Sequence, residues 1–162
     1  MKLSELVRDA GLQGPAGAFT SASTLRLGRA AGTLLRRRGE HRGPVLVGRG
    51  GDGAELGVRD GLCQGLVMSG FDVVDLGHVD GALFLLALGE EAASGGALIG
   101  SSGESVQAIF FGGSEALEDE PLVELTQLAE GGGFCVGCGS LTLRPFFGGA
   151  GKVGASNTRG EA

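Results

Sequence analysis

The chain has 162 residues, 42% of them hydrophobic and 20% charged, which suits one ordinary folded domain with its own core. Its 34 glycines follow no G-X-Y period, which excludes collagen, and its net charge of −6 excludes a sequence-independent nucleic-acid binder, which needs a basic surface. No apolar run approaches a bilayer span and "MKLSELVRDAG" lacks the apolar region of a signal peptide, so the sequence predicts a cytoplasmic protein with neither membrane nor nucleic-acid partners.

In chain order, residues 1–10 read as a short helix or lead-in and "GLQGPAGA" (11–18) as a turn-rich loop. Thr20 or Ser21 can cap a helix running to about Arg38. Gly39 follows its end, and Leu27, Ala30, Ala31, Leu34 and Leu35 share one face. The arginines of "LRRRGEHR" (35–42) complement the dipole at that helix's carboxyl end. "PVLVG" (44–48) is a short continuous apolar run, the pattern of a strand covered on both faces. A second helix spans Glu55 to Ser69, with Leu62, Leu66 and Val67 inward and Gly70 as its stop.

"FDVVDLG" (71–77) predicts another buried strand and "ALFLLAL" (82–88) a third helix. "GALIGS" (96–101) and "VQAIFFG" (106–112) are two more strands. Four residues between them leave no room for a crossover helix, so the pair is antiparallel. "LEDEPLVELTQLAE" (117–130) is a fourth helix, acidic in its first turn, with Pro121 early enough to be tolerated. The sum is a layered α/β/α domain over residues 1–130, built on a small mixed four-stranded sheet. Residues 131–162 form a glycine-rich tail, with 141–147 fit for an extra strand and the residues from 148 onward expected to be disordered.

Few residues stand out as chemistry. Cys135 and Cys138 make a CxxC, but zinc needs four ligands, no second CxxC exists, and His41 and His78 lie far off in sequence. Cys63 falls on the second helix as a core residue. "GRGGDG" (48–53) is a glycine-rich loop between strand and helix, where Arg49 and a helix amino terminus can meet an anion. It lacks the Gly-Lys-Ser/Thr of a P-loop. The acidic run from Glu115 to Glu130 reads as a solvated helix face.

Four stretches in order, "LRLGRAAGTLLRRRG", "PVLVGRG", "GLVMSGFDVVDLGHV" and "GALIGSSGESVQAIFFGG", resemble the first domain of the α-D-phosphohexomutases, the phosphomannomutase and phosphoglucomutase family. The resemblance runs from about Val7 to Glu130 and implies that family's first-domain fold. It also implies a role for the loop at 100–103, because the family's loop T-A-S-H-N-P carries a serine that donates a phosphoryl group to a sugar phosphate. Ser102 matches that serine, with Ser101 beside it, while Gly103 and Glu104 replace the His and Asn and the proline is missing. The strand N-G-I-K-F is matched by Gln107, Ala108, Ile109, Phe110 and Phe111.

Other departures follow the same direction. The family's G-R-D-T-R is matched by Gly48, Arg49, Gly50, Gly51 and Asp52, and its G-I-R-G by Gly11, Leu12, Gln13 and Gly14. P-T-P reads Asp80, Gly81, Ala82, and the metal loop D-G-D-G-D-R of the family's second domain has no counterpart. Phosphoryl transfer needs cations around the migrating group. The sequence therefore predicts a catalytically degenerate, free-standing first domain with no cofactor, a remnant serine at Ser102, and self-association through a former inter-domain surface and the tail. Two alternatives stand beside it. One is a phosphoserine-bearing subunit of a split mutase, which would use Mg²⁺. The other is a regulator that binds hexose phosphate through Arg49 and Ser102.

Overall fold

The computed structural model describes residues 2–9, 11–40 and 42–146. A 3-10 turn at Leu3–Leu6 leads into β1 (Val7–Arg8) and β2 (Gly11–Pro15), then a second 3-10 turn at Ala16–Ala18. There follow α1 (Ser21–Arg37), β3 (Val45–Arg49), α2 (Ala54–Met68), β4 (Val73–His78) and α3 (Gly81–Glu90). The hairpin β5 (Gly95–Ser102) and β6 (Ser105–Gly112), the short β7 (Glu115–Ala116), α4 (Glu120–Gly131) and β8 (Leu141–Leu143) complete it.

Local chemistry sets these boundaries. Thr20 Oγ1 accepts the Ser23 N–H at 3.0 Å and starts α1; Asp80 accepts the Leu83 N–H at 2.8 Å and starts α3. Gly39 (φ +78°) and Gly70 (φ +96°) take the left-handed conformation just beyond α1 and α2. The strands join one mixed sheet in the order β1-β2-β6-β5-β3-β4-β8, with β7 added on β6. β3 runs parallel to β4 and β5, and β4 parallel to β8, while β5–β6, β2–β6 and β1–β2 are antiparallel. Side chains alternate between two cores. Val45 and Val47 join Leu27, Leu34, Leu62, Leu66 and Leu125 of α1, α2 and α4, whereas Leu46 joins Phe84 and Leu88 of α3.

Among the described residues the sheet has eight strands where the sequence pattern suggested four. The four expected strands form its middle, and the others finish its edges. The clearest misreading is "GLQGPAGA": residues 11–15 are β2, a full member paired with β6 from Leu12↔Ala108 to Pro15↔Ser105. Its glycines serve close approach, since a Cβ on Gly11 would meet the Ala108 carbonyl and one on Gly14 the Leu6 side chain. Pro15 ends the strand beyond the reach of β1, so its missing N–H interrupts no ladder.

Glycine also shapes the seam between α1 and α2. Thr24, Gly28 and Gly32 of α1 face Gly61, Gly65 and Ser69 along α2 at four-residue spacing. A Cβ on Gly65 would meet the Leu25 carbonyl and lie 2.6 Å from Arg29 N and 2.8 Å from Gly28 C, all backbone. The two helices therefore touch main chain to main chain. Residues 132–140 then cross the end of α2, where Gly137 N–H bonds the Met68 carbonyl and Gly139 N–H the Val67 carbonyl, both at 2.9 Å. The segment expected to hold an extra strand, 141–147, carries β8 at Leu141–Leu143, and Phe146 is buried in the α3-side core. The expectation of disorder from 148 onward lies outside the described residues.

Candidate functional site

Strand order reverses at β3: α2 leads from β3 to β4 on one side, and α3 returns the chain to β5 on the other. In such sheets the crevice at the strands' carboxyl ends is where ligands bind. The crevice here is a cleft of ≈ 460 Å³, walled by the β3–α2 loop from Gly50 to Glu55 and by the hairpin around Ser101 and Glu104. Ser102, the matched serine, is exposed at the end of β5 and pairs with Ser105. The tight turn between them holds Gly103, at φ +62°, and Glu104.

The first turn of α2 would ordinarily offer bare N–H groups to an anion. Here Glu55 fills that position. It is buried, and the Ser101 hydroxyl donates to its Oε2 at 2.7 Å. That hydrogen bond, followed by bonds from the backbone of Glu55 and Gly53, holds the carboxyl below its ordinary range against the opposing effects of burial and Asp52. Gly51 makes room, since a Cβ there would lie 2.7 Å from Oε2. Asp52, Glu55 and Glu104 all line the cleft, and among the described residues no Lys or Arg does.

Arg49 faces elsewhere. Its Nη2 pairs with Asp52 Oδ1 at 3.1 Å, and its Nη1 lies 4.0 Å from Asp75 Oδ1. It lines a separate cleft of ≈ 580 Å³ with Arg59, His78, Leu83 and Phe146. The arginine and serine that the sequence grouped as one ligand site thus do not line one cleft. His78 Nε2 sits 2.7 Å from Asp52 Oδ1, and this contact, then Arg49, draws the Asp52 carboxyl below its ordinary range. Buried Asp75 accepts from Arg59 Nη1 at 3.1 Å and from Gly77 N–H at 2.9 Å. Gln13, in the place of the family's arginine, stands opposite Gln107, which stands opposite Gly100.

The cysteines stay apart in role. Cys135 is partly buried, and its N–H bonds Thr33 Oγ1 at 3.0 Å, while Cys138 is exposed. Burial pushes the Cys63 thiol up to about 12, consistent with a core residue. Among the described residues no group of three or more His, Cys, Asp or Glu is placed to hold a metal ion, and no helix is long and apolar enough to cross a membrane. His41 lies outside the described residues.

Sequence missed Glu55 as a site residue. The signal was present in an acid two residues beyond the glycine run, at a helix's first turn, but it reads equally well as a dipole-complementing surface carboxylate.

A serine hairpin facing a glycine-rich βα loop at the switch point of a mixed sheet is the arrangement expected of a phosphohexomutase first domain. No family model matches the chain. It is 37% identical over 84 residues to a phosphoglucomutase/phosphomannomutase from Thermococcus kodakarensis, a match covering 52% of this chain and 18% of that protein. A phosphoglucomutase/phosphomannomutase family protein from Burkholderia thailandensis shares the fold, with a TM-score of 0.78 and 20% identity over 90% of this chain and 34% of that one. A Thermus thermophilus structure assigned as a phosphomannomutase gives 0.70 and 26%, over 85% and 32%. Over about half of its length the chain is thus similar in sequence to a phosphoglucomutase/phosphomannomutase, and over most of it similar in fold to solved structures of that kind. It spans about a fifth of the curated relative and about a third of the solved structures.

Proposed function

We propose that this chain is a catalytically degenerate phosphohexomutase first domain that serves as a self-associating structural module. The observation that carries the loss of catalysis is Glu55, an internal carboxylate seated at the amino terminus of α2 and bonded to Ser101. A phosphoryl group on the serine hairpin would meet this charge, with Glu104 beside it in the cleft and Arg49 already paired with Asp52. Two like unit charges ~4 Å apart repel by about 4 kcal/mol at an effective dielectric near 20. With its carboxyl held low, Glu55 is also a poor general base for Ser101. Exposed apolar side chains on α3 (Leu85, Leu86) and β8 (Leu141, Leu143) support a role in association.

The test of lost catalysis is intact-mass measurement after incubation with glucose 1,6-bisphosphate and Mg²⁺. The native chain is expected to stay unmodified. A phosphoryl adduct that disappears in Ser102→Ala would establish the phosphoserine alternative and overturn this reading. For the structural role, a native chain that sediments as a monomer at high concentration would count against self-association.

A further inference from the structure

We propose that the β8 edge of the sheet seats a second copy of this chain, the two β8 strands pairing antiparallel across a two-fold axis at Thr142. This rests on the self-association proposed above and specifies its surface. The two ends of the sheet are finished differently. At one end β1 is only two residues long, and Arg8 Nη1 donates to the Glu5 and Val7 carbonyls, both at 2.9 Å, folding a charge over its own edge. At the other end β8 carries no charge and no proline, and Leu141 and Leu143 are 57% and 68% exposed.

Among the described residues, the backbone of β8 is half used. Val73 N–H donates to the Ser140 carbonyl at 2.7 Å, and Arg144 N–H to the Asp75 carbonyl at 2.8 Å. Positions 140 and 144 thus turn their polar groups toward β4, and two-residue alternation turns the N–H and C=O of Leu141 and Leu143 outward. An antiparallel copy with Thr142 on the axis sets Leu141 opposite Leu143 of the second copy, and Leu143 opposite its Leu141. Both are hydrogen-bonded pairs, so every outward donor and acceptor on these residues is satisfied.

The side chains agree with this register. Leu141 and Leu143 pair with Val73 and Asp75 and border, with Cys63 and Val67, an apolar groove of ≈ 430 Å³ beside α2. Four leucines of two copies would close over this flank. Arg144, whose Nη2 pairs with Glu91 Oε1 of its own chain at 2.8 Å, falls opposite Ser140 of the second copy. In each copy the Ser140 N–H and hydroxyl bind Asp72 Oδ1, both at 3.0 Å, so the axis brings a guanidinium beside a carboxylate twice. A strand edge of this kind pairs by main-chain bonds, with alternate side chains giving selectivity.

The experiment uses the full chain with exposed Cys138→Ser as background. On the axis, residue 142 forms a non-hydrogen-bonded pair with Cα atoms about 4.5 Å apart, within disulfide reach. Thr142→Cys is expected to become a covalent dimer of twice the mass under mild oxidation. Leu143→Pro removes one outward N–H and leaves the β4 ladder intact, so association in sedimentation is expected to be lost with circular dichroism unchanged; Leu143→Lys serves if the proline variant misfolds. A native chain that never associates sinks the self-association reading and this inference with it. A native chain that associates while Thr142→Cys stays uncross-linked and the Leu143 variants still associate sinks the β8 edge alone. Concentration-independent hydrogen-exchange protection of the Leu141 and Leu143 amides would show the edge covered by the chain's own residues, and also overturns it.

Discussion

At the scale of single residues, the contact that sets the charge of the cleft is between Ser101 and Glu55. A carboxyl held low in the folded state contributes stability that is present above its unfolded value, near 4.5, and is lost as pH falls through the folded value. Ser101→Ala removes the largest cause of that depression. It is expected to cost about 1.5–3 kcal/mol at neutral pH, the usual net worth of a hydrogen bond to a charged group. That difference should shrink toward zero once Glu55 is protonated in both proteins. Urea midpoints measured from pH 7 down to acid conditions check this, and a pH-independent difference would contradict it. The serine hairpin itself was legible, because Ser101, Ser102, Gly103 and Glu104 sit in order between two apolar runs. The orientation of Arg49 was not. It is set by Asp52 in its own loop and by Asp75, and only the parallel pairing of β3 and β4 brings Asp75 near.

At the scale of elements, helix existence followed from periodicity and caps, so α1 and α2 fall within a residue or so of the sequence reading. Their relation to each other was hidden. Gly28, Gly32, Gly61 and Gly65 weaken a helical pattern when read singly, at roughly 1 kcal/mol each relative to alanine. The structure shows what offsets that cost: a seam where each helix backbone lies against the other. Gly65→Ala tests it. The new methyl would collide with main chain on three neighbours, so a loss of about 1–3 kcal/mol is expected by overpacking, despite the gain in helix propensity. Exposed Gly57→Ala, with nothing within 4 Å, is the control and should be neutral or slightly stabilising. Equal effects of the two substitutions in chemical denaturation would remove the seam from the account. The same residue type misled at β2, where "GLQGPAGA" was read as a loop for its composition. What made it a strand was the β6 partner some ninety residues away, beyond the reach of any local pattern.

At the scale of the molecule, stability is expected to be graded along the sheet. β3 has parallel neighbours on both sides, and its residues Val45 to Gly48 are all buried. β1 and β7 are two residues long and pair on one side. Native-state hydrogen exchange should therefore be slowest in β3 and β5, near the global unfolding limit, and fastest in β1 and β7. Uniform protection across these strands would refute the gradient. The middle of this sheet was legible because continuous apolar runs announce buried strands. At its margins β1 and β7 were not, since strands of two residues are too short to establish a period.

The glycine seam and the serine cleft share no residue: one is built from Thr24 to Gly32 and Gly61 to Ser69, the other from Ala16, Gly50 to Glu55, Gly100, Ser101 and Gly103 to Val106. A substitution in the cleft is thus expected to leave the helical frame packed as it is, so the two regions can vary independently.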